Sequence, residues 1–384
     1  MNTFPSLVSA FDSQDEMFTC AFAVLREAVE QRVFPAASIA VVDQGNLVAL
    51  KSFGHFSYEA DSPPALATTL FDLASVTKVA ATTTMAMILH ERGLLELDAP
   101  VAGIVTEFVA VHETAGSDLR RRDVTFRMLL AHSSGLPAYE RLFLRTNSRD
   151  ELLHAAYATP LAADPGSRAE YSDIGFIILG TALERLAEES LDAFCQREIF
   201  GPLAMASTTF NPPPDLRPQI PPTADERRGE KKKSSTFRNR IIQGEVQDEN
   251  AFVLGGVAGH SGLFSTAEDV ARFANTMMSG GGSILRPETI ALFTRRETSP
   301  DGTSRALGWD TPSSPSQSGK CFGPSSFGHL GYTGTSLWID PARQLSIVLL
   351  TNRTWPDCSN QAIKQVRPKF HDAIIEATDK RNRM

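Results

Sequence analysis

The chain has 384 residues, of which 42% are hydrophobic and 21% are charged, and its formal net charge is -8. This composition is that of a folded globular protein, and it excludes a disordered or fibrous chain. Because the net charge is negative and no basic arm is present, neither nucleic acid nor a membrane is expected as a partner. The cysteines have neither metal-ligand nor redox spacing, which predicts reduced thiols and no metal or cofactor site; they are Cys20, Cys195, Cys321 and Cys358.

The first part of the chain contains signals for one helix and one hairpin. Residues 1–11 include no basic residue, and acidic residues follow too soon for the apolar core of a signal peptide, which predicts a cytoplasmic location. Ser13 and Glu16 predict a capping box for a helix that runs to about residue 32. Residues 37–42 are then expected to pair with residues 47–50 across a Gln-Gly-Asn turn.

A serine stands three residues before a lysine in the segment Leu73-Ala74-Ser75-Val76-Thr77-Lys78. Asp72 is predicted to cap a helix that begins here and continues through apolar sequence to Gly93. Residues three apart share a helix face, so the Ser75 hydroxyl and the Lys78 amine are expected to meet in one cleft. Because a desolvated lysine loses its proton readily, the pair predicts a serine nucleophile with a lysine base.

The middle of the chain contains a second polar motif, Tyr171-Ser172-Asp173, directly before the apolar residues 174–186. This run predicts a buried helix capped by Ser172 or Asp173, with the Tyr171 hydroxyl at its mouth. Taken alone, the motif is equally typical of a capping turn whose tyrosine only packs. Residues 211–245 are rich in proline and charge, which predicts a long loop or lid.

A third motif, Phe-Gly-His-Leu-Gly-Tyr-Thr-Gly, occupies residues 327–334. It leads into the apolar runs 335–339 and 345–351, which are separated by an Asp-Pro turn and predict a hairpin. Residues 360–377 predict a closing helix.

Together the three motifs resemble the Ser-x-x-Lys, Tyr-Ser-Asn and Lys-Thr-Gly elements of serine β-lactamases and penicillin-binding proteins. The similarity is greatest to the class C β-lactamase-related branch, because residues 129–137 and 255–266 also resemble stretches of that branch. The resemblance implies an α+β fold of the β-lactamase/transpeptidase type. An antiparallel sheet would be flanked by helices, and a mostly helical subdomain would be inserted into it.

The resemblance also implies how the chain is divided. Residues 1–384 would form one catalytic unit, with an α/β subdomain over residues 13–70 and 255–384. The helical subdomain would cover residues 71–254 and include the loop at residues 211–245.

The matching positions imply catalytic roles. Ser75 would attack a carbonyl carbon, and Lys78 would help to remove the serine proton. Tyr171 would lie beside both as a base, as an acid for the leaving group, or as a residue that orients water. His329 would occupy the first position of the third motif.

The same comparison implies an oxyanion hole and substrate contacts. The backbone amides of Ser75 and Tyr332 would bind the oxyanion, an interaction that contributes about 3 kcal/mol per donor in comparable sites. Asp173, Gly331 and Thr333 would contact the substrate.

Two positions depart from the family pattern. His329 and Leu330 stand where the antibiotic hydrolases have a lysine and a threonine that bind a substrate carboxylate, so slow β-lactam turnover is expected. Asp173 replaces the usual asparagine, which disfavours acidic substrate groups nearby. The acidic residues within 244–251 are expected to form an exposed loop, with a pocket for an amine-bearing substrate as the alternative.

These residues predict a serine hydrolase that acts on a small ester, amide or D-amino-acid peptide through an acyl-enzyme. Two alternatives remain: a β-lactamase, and a binding or assembly protein that kept the fold and lost turnover. The oligomeric state is not predicted.

Overall fold

A six-stranded sheet joins the first and last parts of the chain in the computed structural model, which describes residues 7–113, 118–228 and 237–382. The strands, in chain order, are β1 (Val8–Ser9), β2 (Ala36–Asp43), β3 (Asn46–Gly54), β4 (Phe71–Asp72), β5 (Thr209–Phe210), β6 (Ala224–Asp225), β7 (Ile241–Ile242), β8 (Leu263–Ser265), β9 (Phe327–Leu330), β10 (Ser336–Asp340) and β11 (Leu345–Thr351). The order in the large sheet is β1-β3-β2-β11-β10-β9. Every pair is antiparallel except the short β1, which runs parallel to β3.

Helices cover both faces of this sheet and fill the middle of the chain. They are α1 (Gln14–Met17), α2 (Thr19–Glu30), α3 (Thr84–Glu91), α4 (Glu107–Glu113), α5 (Phe126–Leu130), α6 (Arg149–Tyr157), α7 (Asp173–Ala187), α8 (Leu191–Cys195), α9 (Glu249–Val253), α10 (Ala267–Met278), α11 (Pro287–Thr294) and α12 (Ile363–Arg381).

The central strand β11 shows why the sheet is buried on both sides. Successive side chains of a strand point to opposite faces. Ile347 and Leu349 belong to the apolar cluster that includes α2 and α12, whereas Val348 and Leu350 belong to the cluster that includes α10. The continuous apolar run predicted at this position therefore packs against helices on both faces, and the α+β fold is confirmed.

Most of the predicted elements are confirmed. The β2–β3 hairpin, the β10–β11 hairpin and the closing helix are present, with α12 displaced a few residues towards the C-terminus. Ser172 caps α7 by accepting a hydrogen bond from the Gly175 amide at 3.0 Å. In the Pro-rich loop, the described residues form the small β6–β7 ladder, and residues 229–236 lie outside the described chain. The proposed subdomain boundaries stay predictions.

Two helix predictions were wrong in detail. Ser13 makes no side-chain capping bond, and the helical turn α1 ends at Met17 before α2 begins at Thr19, so the expected capping box is not formed. The segment after Asp72 is a 3-10 turn (Ala74–Val76), then a π-helix (Lys78–Thr83), and only then α3. Its backbone cannot begin as a regular α-helix because Ala74 has φ +47°, in the left-handed region.

Candidate active site

The three motifs meet at a cavity of about 600 Å³. Ser75 reaches it from the 3-10 turn, Tyr171 and Asp173 from the start of α7, and His329 from strand β9. Residues as far apart in the sequence as Ser75 and His329 therefore line the same cavity.

The Ser75 hydroxyl contacts two functional side chains at once. Lys78 Nζ donates to Ser75 Oγ at 3.0 Å, and the Tyr171 hydroxyl donates to the same oxygen at 2.7 Å. The predicted meeting of serine, lysine and tyrosine is thus present in the structure. A nucleophile with a base and an acid in hydrogen-bond contact is the arrangement that covalent acyl transfer requires.

Lys78 lies in a shell of three acceptors. Besides Ser75 Oγ, its amine donates to Asp173 Oδ1 at 2.6 Å and to the His260 carbonyl oxygen at 3.0 Å. The side chain is completely buried, and this burial lowers the pKa of Lys78, while the negative charge of Asp173 opposes the shift.

The turn that carries the nucleophile is strained and held by hydrogen bonds. Ala74, directly before Ser75, has a left-handed backbone, a conformation that costs about 1 kcal/mol or more in a non-glycine residue. Asp72 stabilises it, because its carboxylate accepts hydrogen bonds from the Ala74 amide at 2.8 Å and from the Gln247 amide at 2.7 Å.

The third motif is bonded to the same turn. Thr333 Oγ1 donates to the Asp72 carbonyl oxygen at 2.8 Å, and Thr335 Oγ1 donates to the Leu73 carbonyl oxygen at 2.9 Å. At Gly331 a Cβ atom would lie 2.5 Å from that Leu73 oxygen, so the close approach requires glycine. These contacts fix the distance between the nucleophile and strand β9.

Tyr171 is enclosed by aromatic and cationic groups. Its ring centroid lies 4.6 Å from that of His132 and 6.0 Å from that of His329, and the Arg305 guanidinium lies 5.3 Å from it. Burial and the neighbouring negative charge of Asp173 raise the pKa of Tyr171 well above its ordinary value. The phenol is therefore protonated at neutral pH and is suited to donate a proton.

His329 is neutral in this environment. Burial is the main reason that its pKa lies well below the ordinary value, and the cations Lys78 and Arg305 lower it further. Nδ1 lies 2.8 Å from the Leu330 carbonyl oxygen, which acts as an acceptor and so assigns the ring proton to Nδ1. Among the described residues no partner contacts Nε2, so this nitrogen is left as a buried acceptor.

The remaining predicted residues divide into two groups. Asp173, Gly331 and Tyr332 line the cavity. Thr333 does not, because its side chain is completely buried and bonded to the Asp72 carbonyl group.

Residues 244–251 were expected to form an exposed loop, and this was wrong. Asp248 caps α9 and lines the cavity, with its carboxylate 2.8 Å from His260 Nε2. Burial raises the pKa of Asp248, but the charge and hydrogen bond of His260, the Ala251 amide and the charge of Lys78 together lower it overall. Asp248 stands directly before the helical residues of α9, and aspartate is a preferred N-cap residue. This signal could have located the turn.

Arg305 was also missed, because it lies in a loop with no motif. It pairs with Asp310 at the cavity wall, and burial lowers its pKa. Across residues 7–113, 118–228 and 237–382, no group of three or more metal-binding side chains comes together. The helices of that same part of the chain include none that is both long and apolar enough to cross a membrane.

Comparison with known proteins agrees with this geometry. The beta-lactamase family model matches residues 22–366. A putative D-alanyl-D-alanine carboxypeptidase of Salmonella agona (strain SL483) is 31% identical over 362 residues, which cover 86% of this chain and 81% of that protein. An N-acetylmuramyl-L-alanine amidase of Bacillus subtilis (strain 168) is 33% identical over 352 residues, which cover 83% of this chain and 77% of that protein.

Solved structures show the same fold. EstCE1, a hydrolase with promiscuous acyltransferase activity, superimposes with a TM-score of 0.75 at 20% identity and covers 94% of this chain and 99% of its own. A class C beta lactamase from Rhodobacter sphaeroides gives a TM-score of 0.67 at 20% identity, with coverage of 93% and 99%. The fold and site define a serine hydrolase of the β-lactamase/transpeptidase type. Within that class, the chain belongs to the beta-lactamase family.

Proposed function

We propose that the protein forms an acyl-enzyme on Ser75 and hydrolyses a small ester, amide or D-amino-acid peptide. The observation that carries the proposal is the double contact of Ser75 Oγ, with Lys78 Nζ at 3.0 Å and the Tyr171 hydroxyl at 2.7 Å, at the wall of a cavity. A bare serine is a weak nucleophile at neutral pH, and such contacts are what activates it.

Each of these side chains has a distinct role in the proposal. Lys78 helps to remove the Ser75 proton as the oxygen attacks the carbonyl carbon. Tyr171 gives a proton to the leaving group, since its raised pKa keeps it protonated. His329 offers Nε2 as an acceptor towards a substrate N–H or O–H group, because Nδ1 is engaged by the Leu330 carbonyl group.

The oxyanion would be bound by the backbone amides of Ser75 and Tyr332. Within the described chain, neither amide donates a hydrogen bond to another protein group, whereas the adjacent Gly331 amide is bonded to the Thr335 carbonyl oxygen at 2.7 Å. Two unengaged amides, one on the nucleophile itself and one in the third motif, suit a tetrahedral oxygen.

The substrate class follows from the cavity and the relatives. The names of the two relatives point to peptide and amide bonds next to alanine. A cavity of about 600 Å³ accommodates a small peptide or ester. Asp173 as a substrate contact would disfavour acidic groups, and the buried Thr333 side chain would act only by supporting the wall.

A cytoplasmic location is part of the proposal. Its support is chemical, because Cys195 is buried and it, Cys20 and Cys321 carry free thiols, as in a reducing compartment. The substrate would then be a small intracellular ester, amide or recycled peptide. Fractionation of cells that produce the natural protein would test the location, and recovery outside the cytoplasm would contradict it.

One experiment tests the activity directly. The protein is incubated with p-nitrophenyl esters, D-alanyl amides and β-lactams, and the product burst and the intact mass are measured. We expect a burst and a mass increase on Ser75 that Ser75→Ala abolishes. A wild-type protein without an adduct, or an adduct that persists in Ser75→Ala, would overturn the proposal.

A further inference from the structure

The aspartate that replaces the family asparagine completes a proton network around Lys78. The three hydrogens of an ammonium group match the three acceptors found there: Ser75 Oγ at 3.0 Å, Asp173 Oδ1 at 2.6 Å and the His260 carbonyl oxygen at 3.0 Å. A neutral amine matches them only if the Ser75 hydroxyl donates to it, whereas a carboxylate at 2.6 Å favours the charged form of Lys78. An ammonium paired with a carboxylate is therefore the resting state that these contacts favour.

This resting state raises a chemical problem. An ammonium cannot accept the Ser75 proton, and the Tyr171 hydroxyl donates to Ser75 Oγ at 2.7 Å and so carries its own proton. Both side chains in contact with the nucleophile are thus protonated. The basic group in contact with Lys78 is the Asp173 carboxylate, at 2.6 Å.

We propose that Asp173 is a positioning residue that receives a Lys78 proton during acylation, which makes Ser75, Lys78 and Asp173 a linear relay. The inference rests on the proposed acyl-enzyme function. One Nζ proton first moves to Asp173 Oδ1, and rotation about the Cε–Nζ bond turns the freed lone pair towards Ser75 Oγ. The Ser75 proton then moves to Nζ. At the same time Oγ forms a bond to the carbonyl carbon, and the carbonyl π pair becomes the oxyanion.

Collapse of the intermediate restores the balance. The oxyanion re-forms the carbonyl bond, the bond to the leaving group breaks, and Tyr171 gives that group a proton. Ser75 is left acylated. The proton held by Asp173 then passes back through Lys78 and restores the Tyr171 hydroxyl. Lys78 is again a cation once it has taken the Ser75 proton, and the negative charge that Asp173 loses is the one that the oxyanion gains, so the net charge of the site does not change.

The surroundings of the pair favour such a transfer. Lys78 is completely buried, and the Asp173 side chain is only 18% exposed. Because burying two charges costs free energy of desolvation, passing a proton from Lys78 to Asp173, which leaves both groups neutral, carries a small free-energy cost here. Two charged groups face Lys78 besides Asp173: the carboxylate of Asp248, which raises its pKa, and the guanidinium of Arg305, which lowers it. The ionisable rings that surround the pair are Tyr171, His132 and His329.

Asp173→Asn separates this relay from a mechanism in which neutral Lys78 alone is the base. If the relay operates, the wild-type protein acylates from the ammonium form of Lys78, so its acylation rate does not follow the ionisation of that amine. The amide variant must instead wait for Lys78 to lose its proton, so the acidic limb of the acylation profile moves to higher pH. If Lys78 alone is the base, removing the Asp173 charge lowers its pKa, and the limb moves to lower pH.

The measurement is the burst rate with a p-nitrophenyl ester from pH 5 to 9. We expect about a 100-fold loss in Asp173→Asn at pH 6, the range for one general base, with recovery at high pH. Asp173→Glu keeps a carboxylate and should hold the limb near its wild-type position. Glu170→Gln is the matched control, because Glu170 pairs with Arg168 in the same turn and does not line the cavity.

A limb that moves to lower pH, or does not move, overturns the relay while Ser75 acylation still stands. Loss of the wild-type adduct would overturn both proposals.

Discussion

The buried carboxylate of Asp72 should make the stability of the protein depend on pH in an unusual direction. The side chain lies beneath the nucleophile turn, with only 2% of the residue exposed. Burial raises its pKa from 3.8 to about 6; the Gln247 and Ala74 amides and the charge of Arg238 lower it, and the charge of Asp248 raises it. The perturbation is Asp72→Asn, which keeps the shape and removes the ionisation.

The sign follows from proton binding. The folded protein binds the Asp72 proton more tightly than the unfolded chain does, so this group stabilises the fold below pH 4 and loses that contribution as the pH rises to 6. At about 1.4 kcal/mol per pKa unit, the full change is about 3 kcal/mol. Between pH 5 and 7.5 it amounts to about 1.4 kcal/mol.

The assay is urea unfolding of both proteins at pH 5 and pH 7.5. The Asn variant places an N–H₂ group against a backbone amide, which is a cost, but this cost does not change with pH and cancels in the comparison. We expect the free energy of unfolding of the wild type to fall relative to the variant by about 1.4 kcal/mol over this interval. A difference that is constant, or that grows in favour of the wild type, would refute the reasoning.

Other perturbations test the packing and the specificity of the site. Arg238→Met removes the guanidinium that pairs with Glu226, where both side chains are at most 2% exposed, and leaves the backbone amide of residue 238 on that carboxylate, so urea unfolding should show a loss of about 3–5 kcal/mol, and a loss under about 1 kcal/mol would contradict it. Gly331→Ala pushes against the Leu73 carbonyl group and should reduce the burst rate at least about 10-fold, whereas Gly103→Ala, with open space around it, should not; equal rates would show that the close approach is dispensable. Because the third motif carries histidine and leucine, nitrocefin should be hydrolysed about 100-fold or more slowly than the best ester, and comparable rates would contradict that view of its anion recognition.

The sequence predicted the nucleophile and its partners because their spacing reports local structure. Ser75 and Lys78 are three residues apart, and any helical geometry, including the observed 3-10 and π turns, brings them to one side. Tyr171 was predictable from its place before a capped helix. The first hairpin followed from its Gln-Gly-Asn turn, and the second from two apolar runs on either side of an Asp-Pro turn.

Contacts between distant segments could not be predicted in this way. The pairing of Asp248 with His260 and the position of Arg305 over Tyr171 depend on how three loops pack around the cavity. The left-handed conformation of Ala74 is imposed by tertiary contacts such as the Asp72 anchor, and alanine itself gives no signal for it. The failure of the Ser13 capping box likewise reflects packing that local propensity does not contain.

The pairing of β2 with β11 has a consequence for how the protein is made. The partner of Asp43 is Leu345, about 300 residues further along the chain. While a ribosome synthesises the intervening residues, one edge of the apolar strand β2 has no neighbour, and unpaired strand edges promote aggregation. Nascent chains that stop short of Leu345 should therefore depend on chaperones, and the released polypeptide should mature only after synthesis of its last strand.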